Sequence, residues 1–136
     1  MDRDQPLREP PPHTWLDDEL GFTFWWDVRK LWVADLPVVA MPIRELEWLL
    51  DLPFWDDGPQ ELTVSARNVA AHPEHHQLEY DRTMAADLSY PINVILLKGR
   101  WTVMDGVHRL LKASLLGHDT ILAKQAHPSD VPSFSR

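Results

Sequence analysis

The chain has 136 residues, 44% of them hydrophobic and 25% charged, with a net charge of −8. That length suits one domain with appendages and a real core, and the hydrophobic share argues against disorder. Cysteine is absent, which excludes disulfides, thiolate metal sites and thiol catalysis. No apolar run approaches the ~18 residues of a membrane span. No apolar segment near Met1 has the form of a secretory signal, so a cytoplasmic protein is expected.

Met1 to Thr14 carries Pro6, Pro10, Pro11 and Pro12 between charges and reads as an irregular arm. The composition then changes. Trp15, Phe22, Phe24, Trp25, Trp26 and Trp32 crowd into one stretch and need burial. They form either a hydrophobic cap over the domain or a surface for a protein partner, since Trp is enriched at interface hot spots. Base stacking is a third reading, opposed by Asp17, Asp18, Glu19 and Asp27.

Residues 1–35 are thus an N-terminal extension, 36–127 the main domain and 128–136 a tail. Leu36 to Met41 predicts the first core strand, with Pro37 at its start or edge. Ile43, Leu46 and Leu50 are spaced for a short helix, and residues 52–59 read as a loop. Leu62 to Val64 predicts a strand, and Ser65 the N-cap of a helix through Ala71. A second helix is expected over 74–86. His72, His75 and His76 invite a metal reading. Adjacent His75 and His76 would point about 100° apart on a helix, so surface histidines are expected instead. Ile92 to Leu97 is a nearly continuous apolar run, as for a central strand. Lys98-Gly99-Arg100 turns it into an antiparallel strand over Trp101 to Met104.

Asp105-Gly106-Val107-His108-Arg109 then opens an amphipathic helix with Val107, Leu110, Leu111 and Leu115 on its buried stripe. Asp105 is placed to cap it, and Gly117 to end it. His108 and Arg109 sit in the first turn, where a cation is unfavourable by roughly 0.3–1 kcal/mol. An anion bound there would reverse that sign through backbone N–H groups and the Arg fork. The plain alternatives are a solvated first-turn arginine, or one buried in an ion pair, for instance with Asp105 or Asp87.

Asp105-Gly106-Val107-His108-Arg109, followed by Leu110 and Lys112-Ala113, resembles the Gly-x-His-Arg signature of the ParB/sulfiredoxin superfamily. The resemblance extends to the strand from Tyr90-Pro91 to Leu96, and to Gly117 and the strand Thr120 to Lys124. It implies an α+β fold, a small mixed sheet with packed helices, and a phosphate site of the kind that serves partition-type CTPases, ATP-dependent sulfiredoxins, a free-serine kinase and proposed nucleases. Sulfinic-acid repair is not expected, because Val107 stands where sulfiredoxins carry their cysteine. By the same resemblance an acidic residue such as Glu45 would be a general base, although Glu45 also reads as a solvated helix face.

The expected function is ATP or CTP binding, as an NTPase or phosphotransferase. In that reading the amides of Gly106, Val107 and His108 donate to phosphate, and His108 hydrogen-bonds it. Arg109 and Lys112 neutralise charge, Asp105 caps the loop or holds nucleotide-borne Mg²⁺ through water, and Tyr90 lines the pocket. The alternative is a non-catalytic adaptor that binds a protein through its Trp-rich region. A DNA-binding or nuclease module comes third. Residues 1–61 carry 14 acidic and 5 basic residues, and residues 62–136 carry 7 and 8. Neither half supplies the basic stripe that duplex DNA needs, despite a local patch from Arg100, Arg109, Lys112 and Lys124.

Overall fold

The computed structural model describes residues 14–136; the Pro-rich arm lies outside the described residues. Helices α1 (Trp15–Leu20) and α2 (Val28–Val33) precede strand β1 (Val38–Pro42). Hairpin β2–β3 (Trp55–Asp57, Gln60–Val64) leads to α3 (Ala66–Ala71) and α4 (Gln77–Ala85). Then come β4 (Ile92–Leu97), β5 (Arg100–Asp105), α5 (Val107–Leu115) and β6 (Thr120–Ala126).

The main sheet runs β1-β6-β4-β5. Its β1–β6 and β4–β5 pairs are antiparallel, and β6 lies parallel to β4. This is the α+β architecture expected, a small mixed sheet with helices on it. Central β4 is buried on both faces, which is why its sequence is apolar without alternation.

Strand alternation sends Ile92 and Val94 to one face, where they meet Val69 of α3 and Leu110 and Leu111 of α5. Ile95 and Leu97 point to the other, against Leu16, Leu20, Phe22 and Leu31. The aromatic-rich region therefore does cap the sheet. Leucines and Phe22 go deepest, while Trp15 stays 56% exposed.

Several elements differ from expectation. Residues 43–51 form two 3-10 turns, Ile43–Glu45 and Glu47–Asp51. Pro42 and Pro53 confine the segment, and Leu46, Leu49 and Leu50 bury equally well at the tighter pitch. The expected loop contains β2, paired with β3. The helix expected over 74–86 begins only at Gln77. Leu115 is 44% exposed, and the buried face of α5 is instead Arg109, Leu110, Leu111 and Ala113. The last residues form a 3-10 turn, Pro128–Ser133, and bury Phe134 completely, with Ser135 bridging Trp26.

Candidate functional site

β5 ends at Asp105, and Gly106 turns the chain into α5. Gly106 has φ +118°, and a Cβ there would stand 2.6 Å from Ile92 Cγ2. Both facts require glycine. Gly106 is also the N-cap, and among the described residues no side chain caps the first turn.

Asp105 is not the cap expected of it. Its Oδ2 accepts from Arg109 Nη2 at 3.0 Å, Trp32 Nε1 at 3.0 Å and Asn93 Nδ2 at 3.3 Å. The carboxylate has turned into the sheet because three donors await it there. Arg109 completes the clamp by donating through Nη1 to the Pro91 carbonyl at 3.0 Å. Both ionic side chains are buried, at 7% and 3% exposure. The first-turn arginine thus faces an internal carboxylate and the mouth of β4.

Lys112 is similarly engaged. Its Nζ donates to the carbonyls of Met84 and Ala86 at 2.8 and 2.7 Å, closing the end of α4. His108 Nε2 lies 2.8 Å from Glu79 Oε2. Its ring stacks on Trp55, with centroids 4.6 Å apart and planes 18° from parallel. The Glu79 carboxyl is held below its ordinary value, chiefly by the hydrogen bond to His108, against burial, which raises it; the charges of His108 and Arg82 add to the lowering.

Val107 is half-buried at the turn, and Tyr90 is 43% exposed just before Pro91. Glu45 is elsewhere. The segment from Ile43 to Trp55 runs along α5, beginning where Ile43 N–H donates to Asp119 and ending on His108. Glu45 therefore lies toward the far end of a nine-residue helix, about 13 Å long. An open groove of about 500 Å³ between Ile43, Arg44, Glu47, Ser114 and His118 lies at that far end too. The structure brings Asp105, Gly106, Val107, His108, Arg109 and Lys112 together and leaves Glu45 apart.

Sequence reading missed Glu79 and Trp55, the two partners of His108. Glu79 sits 29 residues before it, and Trp55 belongs to a hairpin whose Leu-Pro start and Gly-Pro turn disguise its strands. Asn93, paired in register with both Asp105 and Lys124, was hidden in an apolar run.

No family model and no curated protein matches the chain. Among solved structures, the crystal structure of sulfiredoxin from Arabidopsis thaliana is similar at 17% identity. The match covers 71% of this chain and 93% of that one, with a TM-score of 0.36. The chemistry of the turn stands on this chain's own residues.

Proposed function

We propose that this domain binds a phosphate-bearing ligand, a nucleotide in the first instance, at the start of α5. The observation behind this reading is the build of the turn. A left-handed glycine admits the chain close to β4, no described side chain caps the helix start, and His108 is held beside it. Uncapped first-turn amides and the helix dipole favour an anion. The roles differ from those the motif alone implies. The amides and His108 address the phosphate, whereas Arg109 and Lys112 hold the scaffold on which the turn is mounted.

Among the described residues no group of three His, Asp or Glu is arranged to hold a metal, and Asp105 Oδ2 is already saturated by N–H donors. The donor set does not form a Mg²⁺ cage. Any Mg²⁺ would arrive on the phosphates of the nucleotide.

The adaptor reading has its own support. Arg109 and Lys112 are spent on internal bonds, Glu45 stands away from the turn, and Glu79 is bound to His108. Binding without turnover is therefore the expected behaviour. Calorimetric titration with ATP, CTP, GTP and ADP, each with Mg²⁺, should give a saturable interaction with at least one, and phosphate release should stay at background. A flat response to all four would remove the binding reading; rapid phosphate release would restore the enzyme.

A further inference from the structure

The two edges of the main sheet are finished differently. Along β5 the run Thr102 to Asp105 is buried, whereas Val38, Val39 and Ala40 of β1 are exposed. β1 has β6 on one side and no described strand on the other. Open edges are ordinarily guarded by charged side chains, lysine above all. Between Pro37 and Pro42, β1 reads Val38-Val39-Ala40-Met41 and carries none.

The hydrogen bonds that flank the β1–β6 ladder fix which groups face outward. Gln125 N–H donates to the Pro37 carbonyl at 2.8 Å, and Ile43 N–H to the Asp119 carbonyl at 2.9 Å. Antiparallel pairing alternates, so Val39 and Met41 bond to β6 as well. The N–H and C=O groups of Val38 and Ala40 therefore point away from the sheet, together with the Pro42 carbonyl. Proline has no N–H, so the edge offers donors at Val38 and Ala40 and acceptors at Val38, Ala40 and Pro42.

That pattern is its own complement. Laid antiparallel on a copy of itself with Ala40 opposite Ala40, the strand gives Ala40 both bonds of a pair. Each Val38 N–H then meets the Pro42 carbonyl of the other copy, so every outward donor has an acceptor. A register with Val38 opposite Val38 would set Ala40 against Leu36, whose N–H is already given to the Ala34 carbonyl. One centred on Pro42 would lose the central donors.

The surroundings of the edge favour the same arrangement. Exposed Leu122 lies opposite Ala40 on β6, so the Ala40–Leu122 pairs of two copies become one apolar row across the axis. Asp35 precedes the edge and Arg44 follows it, and both are exposed. Arg44 lines the open groove at the end of β1, whereas Glu45 stays out of it. In the Ala40-centred register, Arg44 falls opposite Leu36 and beside Asp35 of the other copy. A parallel arrangement would set Asp35 beside Asp35.

We propose that β1 is the interface for a second copy of this chain, forming a two-fold dimer whose sheet runs on through both copies. The Ala40 pair sits on the axis. The inference is independent of the phosphate reading. An edge of five residues buries little area, so the dimer belongs to the weak class and dissociates on dilution.

Sedimentation of the full chain from about 1 µM to about 1 mM should show a monomer–dimer equilibrium with its midpoint inside that range. Across the same range, amide exchange at Val38 and Ala40 should slow as the dimer fills. Exchange at Val39, which bonds to β6, should change little. Ala40→Pro removes the central donor without touching the β6 ladder and should abolish the dimer, with thermal melts checking that it folds. Independently of that variant, Asp35→Arg and Arg44→Asp should each weaken self-association about tenfold. An equimolar mixture of the two should recover it, because each contact then joins opposite charges again.

A chain that stays monomeric throughout the range overturns the proposal. So does a dimer that forms equally well with Ala40→Pro, or one in which Val38 and Ala40 exchange as fast as in the monomer. Slow exchange at both residues in the monomer would give the edge to another segment of the same chain, and overturns it too. A mixture of the charge variants that associates no better than either alone overturns the two-fold register.

Discussion

Arg109 shows how a residue's place in the sequence and its place in the fold can point to different chemistry. At the third position of a helix it looks like a phosphate ligand, yet its guanidinium lies across Asp105 and the Pro91 carbonyl. The sequence carried the pair Asp105 and Arg109 at an i,i+4 spacing, which on a helix surface means a weak ion pair. Here Asp105 is the last residue of a strand, so the pair is buried instead of solvated, and only the third dimension could show that. Gly106 was legible as a turn glycine, but the contact with Ile92 that excludes a Cβ was not. Gly106→Ala should cost about 2–4 kcal/mol, from left-handed strain plus overpacking, read as a shifted denaturation midpoint. Glu79 allows a pH prediction. Its carboxyl titrates below its unfolded value of 4.5, so the stability it contributes is present above that value. It is lost as pH falls through the lower folded one. Glu79→Gln should therefore flatten the loss of stability below about pH 4.5, measured by denaturant melts across that window. An unchanged acid limb would show that the Glu79–His108 bond is absent in solution.

At the scale of elements, three lysines do the same work. Lys98 Nζ donates to Asp18 and Glu19 carbonyls at the end of α1, Lys124 to Leu31 and Trp32 at the end of α2, and Lys112 to Met84 and Ala86 at the end of α4. Each ammonium meets the negative end of a short helix that would be marginal alone. Helices and strands with strong period or continuous apolar runs were readable: β4, β5, α3 and α5 appear close to where their patterns put them. The 43–51 segment was misread because i, i+3 spacing serves α and 3-10 geometry alike. Hairpin β2–β3 was hidden by its prolines. The lysine fasteners were invisible, since nothing local distinguishes a lysine that caps a distant helix from a solvated one. Lys112→Met should loosen the end of α4 by about 1–2 kcal/mol. Amide hydrogen exchange would show faster exchange in α4 with little change in β4; uniform acceleration, or none, would contradict the assignment.

Across the whole molecule, the sheet has a core on each face, and the second is built from the two ends of the described chain. Phe134, fully buried, joins Leu31, Ile95 and Ala126, and Arg136 N–H donates to the Trp25 carbonyl. Deleting residues 128–136 should therefore destabilise the whole domain by several kcal/mol, with loss of a large buried aromatic alone worth about 3–5. Far-UV and tryptophan melts that coincide at a lower temperature would support this, whereas an unchanged melt would make the segment a true tail. The N-terminal extension also reaches the turn itself, through Trp32 on Asp105, so the clamp ties both faces of the sheet to the start of α5. Its character can be measured without any ligand, by denaturant unfolding of Arg109→Ala. The account predicts a loss of about 3 kcal/mol, because a buried carboxylate is left without its cation. A stability that is unchanged, or raised by a few tenths of a kcal/mol as expected for relieving a cation at a helix start, would contradict it and return Arg109 to the ligand.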